Sequence, residues 1–379
     1  MKKLLVIIPT YNEASNIGTL VSEIFLVSKK VPQWTFEVLV VDDNSPDGSA
    51  DIVRKMQSRN RKLHLLTGPK TGYGKAYLRG FDWALSKKTY DAFLMMDADF
   101  SHDPKAIPSL LKAIDNGADY VIGSRYVNGG VIAEDWSLIR GHMSRGANWF
   151  AHLLVGTIGV TDFTGGFKAI RYSALKELNL SNIRASGYVF QVNLLHEFSH
   201  KGFKITEVPI TFRNRQAGVS KMRWQDVIEF IYLTYRLNPE SRVRRLVRFG
   251  FVGAGGTVVN LVVISTLIRI FHWAVLPADA IAIETSIVSN FLLNYFYTFR
   301  ASITSPSKGY TDTVDVIILK LLKFNTVMFG GASISFIIFS LSYKLLGLTY
   351  LTADLIGIVA AMGLNYWLNV RVIWGLVDD

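Results

Sequence analysis

No cysteine occurs in the 379 residues, which excludes disulfides, thiolate nucleophiles and cysteine-ligated zinc. The seven histidines show no HExxH or comparable metal-ligand spacing. Acidic side chains are the minority, 30 against 41 Lys and Arg, for a net charge of +11. No RNA- or DNA-binding motif accompanies that excess, so no nucleic-acid partner is expected. A secretory leader is not expected either. Lys2 and Lys3 precede the apolar Leu4–Ile8, but that run is short and Pro9-Thr10-Tyr11-Asn12-Glu13 cuts it off. A first β-strand and a cytosolic N-terminal domain are predicted instead.

What is abundant is apolar, and it is unevenly spread. Hydrophobic residues make up 50% and mean hydropathy is +0.25. Residues 1–245 are ordinary and charged, whereas 246–377 are dominated by apolar runs. The length exceeds one typical domain. Segments at about 246–270, 276–299, 320–343 and 350–374 are each long enough to cross a hydrocarbon core of about 30 Å. Arg242, Arg244, Arg245, Arg248, Arg300, Lys308, Lys320, Lys323 and Arg371 fall at one set of span ends. Only Arg269, His272 and Lys344 fall at the other. The positive-inside rule then predicts that the N-terminal domain, the 301–318 loop and the C-terminus are cytoplasmic.

In the first half, strands at about 4–9, 36–42, 63–67, 92–97 and 119–123 alternate with helical patterns near 14–29, 49–58, 73–87 and 104–115. This order predicts a doubly wound, mostly parallel sheet. Residues 124–141 read as loop, followed by a helical stretch at 143–155. A second, at 222–237, repeats Trp224, Val227, Ile228, Ile231 and Tyr235 at helical spacing. Beside a membrane domain, such helices suit the interface plane. The Arg242–Arg248 cluster suits anionic headgroups. The expected divisions are 1–221, a connecting 222–245, and 246–379.

Chemistry concentrates where the strands end. Leu94-Met95-Met96-Asp97-Ala98-Asp99 is an apolar run closed by two carboxylates, Asp97 and Asp99, one residue apart. Such a pair at a strand end suits a hard cation, Mg²⁺ or Mn²⁺, which in turn takes a nucleotide diphosphate. Pro9-Thr10-Tyr11-Asn12-Glu13, Val41-Asp42-Asp43-Asn44-Ser45 and Gly72-Tyr73-Gly74-Lys75 follow or flank other strands and would gather on the same edge.

Together these turns resemble the nucleotide-sugar site of family 2 glycosyltransferases, which have the GT-A fold. DADFSHDP, GSRY, GYVFQVN and RQAGVSK look closest to the polyprenyl-phosphate (dolichyl-phosphate) mannose synthases. The resemblance implies an inverting, metal-dependent hexose transfer from GDP-mannose to a polyprenyl (dolichyl) phosphate. It implies a nucleotide-sugar pocket of Pro9, Tyr11, Glu13, Val41, Asp42, Asp43, Gly68, Lys70, Gly72, Gly74, Asp97, Ala98, Asp99 and Gln191. Arg213, Arg215, Ser220 and Lys221 are expected in a loop closing over the diphosphate. The metal set is Asp97, Asp99 and, less typically for the family, Ser101, with Mn²⁺ or Mg²⁺ bound. Arg125, Arg140, Lys168 and Ser220 are expected at the acceptor phosphate. The residues expected to carry catalysis are Asp97, Asp99, Arg125 and Arg140. Thr67 replaces the Arg that leads the family's glycine turn, Gly165 and Lys168 replace its Ser and Arg in DxTSGFR, and Asn193 replaces a common Glu.

The second half carries an internal repeat. Asn290 and Asn294 recur 75 positions later as Asn365 and Asn369. The same offset aligns Phe249 with Phe324, Gly255-Gly256 with Gly330-Gly331, Asp279 with Asp354, and Leu293 with Leu368. Each unit holds two spans, so two parallel helical hairpins are predicted. This half resembles the GtrA-like family. Two alternatives stand beside the mannosyltransferase reading. One is a UDP-glucose-dependent glucosyltransferase, and the other is a lipid-linked-sugar translocase in the membrane half. Few charges are embedded there, Glu284 being the clearest in mid-span.

Overall fold

A computed structural model describes residues 1–132, 138–155, 159–183, 187, 189–213, 224–237, 241–299 and 312–375. The chain divides into two compact units, Met1–Pro239 and Glu240–Asp379.

The first unit is built on a seven-stranded sheet of order β3-β2-β1-β4-β7-β5-β8. Its strands are β1 (Lys2–Thr10), β2 (Trp34–Asp42), β3 (Leu63–Thr67), β4 (Ala92–Met95), β5 (Tyr120–Ser124), β7 (Lys168–Arg171) and β8 (Ile205–Pro209). A small parallel pair, β6 (Val131–Ile132) and β9 (Thr211–Phe212), lies beside it. Leu4 to Ile8 are completely buried because both faces of β1 are covered, the usual condition of a central parallel strand. Leu4, Val6 and Ile8 share one core with α1 (Ile17–Ser28) and α4 (Ile107–Asp115). Leu5 and Ile7 share the other with α3 (Tyr73–Lys87) and α7 (Val189–His200). Two shorter helices, α2 (Ser49–Gln57) and α6 (Tyr172–Lys176), complete this set.

The pairing is mostly parallel, as predicted, with one exception. β7 runs antiparallel between β4 and β5, with Met95 opposite Lys168. Its reversed direction delivers residues 162–167 to the carboxyl edge of β4. The chain order reverses around β1, which pairs with β2 on one side and β4 on the other. That topological switch point is where open α/β sheets bind ligands.

Two expectations for this unit need correction. The loop expected at 124–141 holds β6, and helix α5 (Leu138–Val155) begins inside it. Helix α8 (Trp224–Leu237) groups with this first unit, inside the segment expected to connect the two. Phe230, Leu233 and Leu237 pack on the second core, and Thr234 is buried. Ile228, Ile231 and Tyr232 are exposed on another stripe of the same helix, as are Met143, Trp149 and Leu153 on α5.

The second unit consists of α9 (Arg242–Arg269), α10 (Val275–Leu293), α11 (Val314–Lys344) and α12 (Tyr350–Leu368). Four helices here are long and apolar enough to cross a membrane. Helices α9 and α11 start earlier than predicted, α9 on the charged turn Arg242-Val243-Arg244-Arg245 and α11 on Val314-Asp315-Val316-Ile317. A π-helical turn follows α10 at Asn294–Thr298, and another follows α12 at Asn369–Ile373. The repeat is thus visible in the backbone.

It is also visible in the packing. A Cβ on Gly256 would collide with the Asn290 amide, and one on Gly331 with the Asn365 amide. Phe249 meets Tyr366 with ring centroids 5.7 Å apart at 65°, and Phe324 meets Phe291 at the same distance and angle. Each aromatic pair is the other with the hairpins exchanged.

Candidate active site

The carboxyl ends of β1, β2, β3 and β4 lie side by side, with Thr10 opposite Asp42 and Asp42 opposite Thr67. Asp42 and Asp43 were expected at the nucleotide, and the structure gives each an internal task. Asp42 is fully buried; its Oδ1 accepts from Thr10 Oγ1 at 2.9 Å and Ser45 Oγ at 2.6 Å, and its Oδ2 accepts from the Ser45 N–H at 2.8 Å. It therefore pins the β1 and β2 turns together. Asp43 pairs with the Arg79 guanidinium, which also donates to Pro69 O at 3.1 Å. Arg79, on α3, thus ties the Asp43 turn to the Gly68–Gly72 loop. Its guanidinium lies 3.2 Å from where a Gly68 Cβ would stand, so that glycine makes room for it. Lys70 Nζ sits 3.5 Å from the centre of the Tyr11 ring, a cation–π contact that joins two of the expected pocket turns. Val41 is buried in the sheet, and Glu13 holds Asn16 Nδ2 at 2.9 Å.

The DxD lies at the end of β4, next to the switch point. Asp99 and Ser101 are nearly buried, and Ser101 donates to Asp99 Oδ1 from its hydroxyl at 2.6 Å and its N–H at 3.1 Å. Phe100 between them has a positive φ of 60°, the turn that folds Ser101 back onto Asp99. Asp97 is more open. Its Oδ1 accepts from Tyr73 Oη at 2.9 Å, and its N–H donates to His102 Nδ1 at 3.3 Å. His102 is stacked on Phe167, and burial lowers its pKa, which keeps the imidazole a neutral acceptor. Among the described residues no cluster of three or more His, Cys, Asp or Glu can hold a metal. Two carboxylates and a hydroxyl fit a cation whose remaining positions come from a diphosphate and water.

The residues expected at the acceptor phosphate fare differently. Arg125 forms a two-pronged pair with Asp162, Nε to Oδ2 at 2.8 Å and Nη2 to Oδ1 at 2.7 Å. Nη2 also donates to Thr164 Oγ1 at 2.8 Å. Burial pushes the Asp162 carboxyl up, but the adjacent Arg125 charge and hydrogen bonds outweigh it, and the net pKa lies below the usual carboxylate range. Asp162 also accepts from the Gly165 N–H at 2.9 Å, so the pair shapes the 162–166 turn.

Lys168, expected at the acceptor phosphate, is completely buried in β7; its Nζ donates to Gln191 O at 3.2 Å and lies 5.5 Å from the Tyr120 ring centre. Burial pushes its pKa down to about 7. Gln191 and Asn193 are buried on α7. Gln191 Nε2 donates to Tyr73 Oη at 3.1 Å.

Arg213 reaches Asp103 at 3.2 Å, which fastens the end of β9 to the segment after the DxD. Arg140 lies in α5, with a side chain outside the described residues, as Arg215, Ser220 and Lys221 are entirely. Sequence reasoning passed over Tyr73, Arg79, Thr10, Ser45 and His102 as site-forming groups. Only His102, inside DADFSHDP, lay in a motif already singled out for the cation; the others act through contacts made in three dimensions.

The sequence pattern of glycosyl transferase family 2 matches residues 5–179, and that of the GtrA/DPMS transmembrane domain matches 248–374. A dolichol-phosphate mannosyltransferase of Pyrococcus furiosus is 34% identical over 98% of this chain and 99% of its own length. A polyprenol monophosphomannose synthase of Mycolicibacterium smegmatis is 40% identical over 64% of this chain and 90% of its own. An undecaprenyl-phosphate mannosyltransferase of Micrococcus luteus is 39% identical over 58% and 87%. With a GT-A-like sheet, a DxD at its switch point and four span-length helices, the chain is a glycosyltransferase of family 2 and belongs to the polyprenyl-phosphate mannose synthases that carry a GtrA/DPMS transmembrane domain.

Proposed function

We propose that the chain transfers mannose from GDP-mannose to a polyprenyl phosphate, with inversion, at the cytoplasmic face of a membrane. The observation that carries this is the end-to-end likeness to the Pyrococcus furiosus mannosyltransferase, 34% identical over 98% of the chain, with the DxD intact. Asp97, Asp99 and Ser101 would hold Mn²⁺ or Mg²⁺. Such an ion supplies charge neutralisation of the diphosphate and eases its departure. Tyr11, Lys70 and the Gly68–Gly74 loop border the nucleotide. The acceptor is an anionic phosphate already, so no strong general base is required. Positioning and charge compensation suffice. Its oxygen attacks the anomeric carbon opposite the leaving diphosphate, converting an α-linked donor to a β-linked product. Arg125 shapes the acceptor side through Asp162 and Thr164, and Arg140 supplies a second cation.

Two features support action at a bilayer. The exposed stripes on α5 and α8 suit burial at the headgroup level, and basic residues crowd one set of span ends. The test is a donor panel with purified full-length protein, a short polyprenyl phosphate and Mn²⁺. Mannolipid from GDP-mannose alone is the expected result. Transfer from UDP-glucose in preference to GDP-mannose would overturn the donor assignment.

A further inference from the structure

We propose that Tyr73, backed by Gln191 and Lys168, is the positioning residue that fixes the Asp97 carboxylate for its divalent cation. This rests on the reading of Asp97 and Asp99 as cation ligands. Two observations carry it.

The first is a directed chain of hydrogen bonds. Lys168 Nζ donates to Gln191 O at 3.2 Å, Gln191 Nε2 donates to Tyr73 Oη at 3.1 Å, and Tyr73 Oη donates to Asp97 Oδ1 at 2.9 Å. The chain starts from a fully buried cation and ends on the more open of the two DxD carboxylates. Lys168 holds the first turn of α7, from which Gln191 reaches Tyr73.

The second is a space kept for the phenol. A Cβ on Gly166 would stand 2.8 Å from Tyr73 Oη and 3.3 Å from Asp97 Oδ2. The glycine lets the hydroxyl enter between β7's leading turn and the DxD. The ring is held by edge-on contacts to Tyr77, 5.1 Å away, and Phe190, 6.4 Å away.

The Asp97 backbone is fixed as well. With His102 accepting from the Asp97 N–H, the residue is held at both backbone and side chain. Partners that orient a ligating carboxylate typically command about 10–100-fold in metal affinity.

The test is Mn²⁺ binding to the full-length protein in detergent, followed by electron paramagnetic resonance with and without GDP. Asp99→Ala serves as the reference that removes a ligand outright. Tyr73→Phe deletes one oxygen and keeps the ring, and it should weaken Mn²⁺ binding about 10–100-fold while leaving the KM for polyprenyl phosphate unchanged. Gly166→Ala should act in the same direction by displacing the hydroxyl, and adding Tyr73→Phe to it should cost nothing more. Wild-type Mn²⁺ affinity in Tyr73→Phe, with binding lost in Asp99→Ala, would overturn the inference alone. Wild-type affinity in Asp99→Ala would overturn the cation reading beneath it. Should Tyr73→Phe fail to fold, Gln191→Leu takes its place under the same criteria.

Discussion

The two units bury polarity in opposite ways. In the catalytic unit, Arg125, Asp162, Lys168, Asp42 and Asp99 are buried with partners, mostly on turns at one sheet edge. In the membrane unit, the Oδ1 atoms of Asn290, Asn294, Asn365 and Asn369 are buried with no hydrogen-bond partner. The first pattern holds charges in a set geometry, which chemistry needs. In the second, the Asn290 and Asn365 amides fill the space beside Gly256 and Gly331, where the helices approach closely. The charged groups named for the first unit are thus scaffolding for a site, and these two amides are packing elements.

That contrast can be broken most forcefully at the DxD. Asp99→Ala should abolish mannosyl transfer by more than the roughly 100-fold upper range for outer-shell partners, while the membrane unit keeps its helical content. Turnover with short polyprenyl phosphate and circular dichroism together check both halves. Next comes the buried pair. Asp162→Ala strands the Arg125 charge and should destabilise the catalytic unit by about 3–5 kcal/mol. Thermal unfolding followed by a probe in that unit reads it.

Gly331→Ala applies the matching insult to the membrane unit. The new methyl displaces Asn365, a form of overpacking that typically costs about 1–3 kcal/mol. Nucleotide binding should survive, and a loss of GDP affinity would show the two units to be coupled. The smallest effect is on pH. Lys168 titrates at about 7 when folded, against 10.5 as a free side chain. The unfolded chain therefore binds more protons between those values, and stability rises with pH across that window. Below pH 7 the full penalty of a buried charge is present. Lys168→Met should flatten a slope of up to about 1.4 kcal/mol per pH unit, read as thermal midpoints between pH 7 and 9.

Much of this architecture is legible in the residues. The central strands are apolar runs because both faces are covered, and the first five were placed within a few residues. β7 and β8 were not seen. Lys168-Ala169-Ile170-Arg171 begins and ends on a cation, and Ile205-Thr206-Glu207-Val208-Pro209 carries a Glu, so neither reads as a buried strand. The DxD and its flanking turns were legible because strand-end carboxylates stand out locally. Tyr73 was not, since its neighbours are Asp97 and Gln191, 24 and 118 positions away. The burial of Lys168 was not legible either, because charge is visible in a sequence and enclosure is not. The 75-residue offset aligned the glycines and the asparagines of the two hairpins; that each Asn packs on the glycine of its own hairpin emerges only in the structure.

One contact in the membrane unit escapes the repeat. Asn325 Nδ2 donates to both carboxylate oxygens of Glu284, at 2.8 and 3.0 Å, linking α11 to α10. The positions related by exchange are Gly250 and Val359, which carry no polar side chain. The bundle is duplicated in shape and single in chemistry. Exchanging the two hairpins would therefore replace this hydrogen-bonded link with Gly250 and Val359, so the twofold holds for the packing and fails for this polar contact.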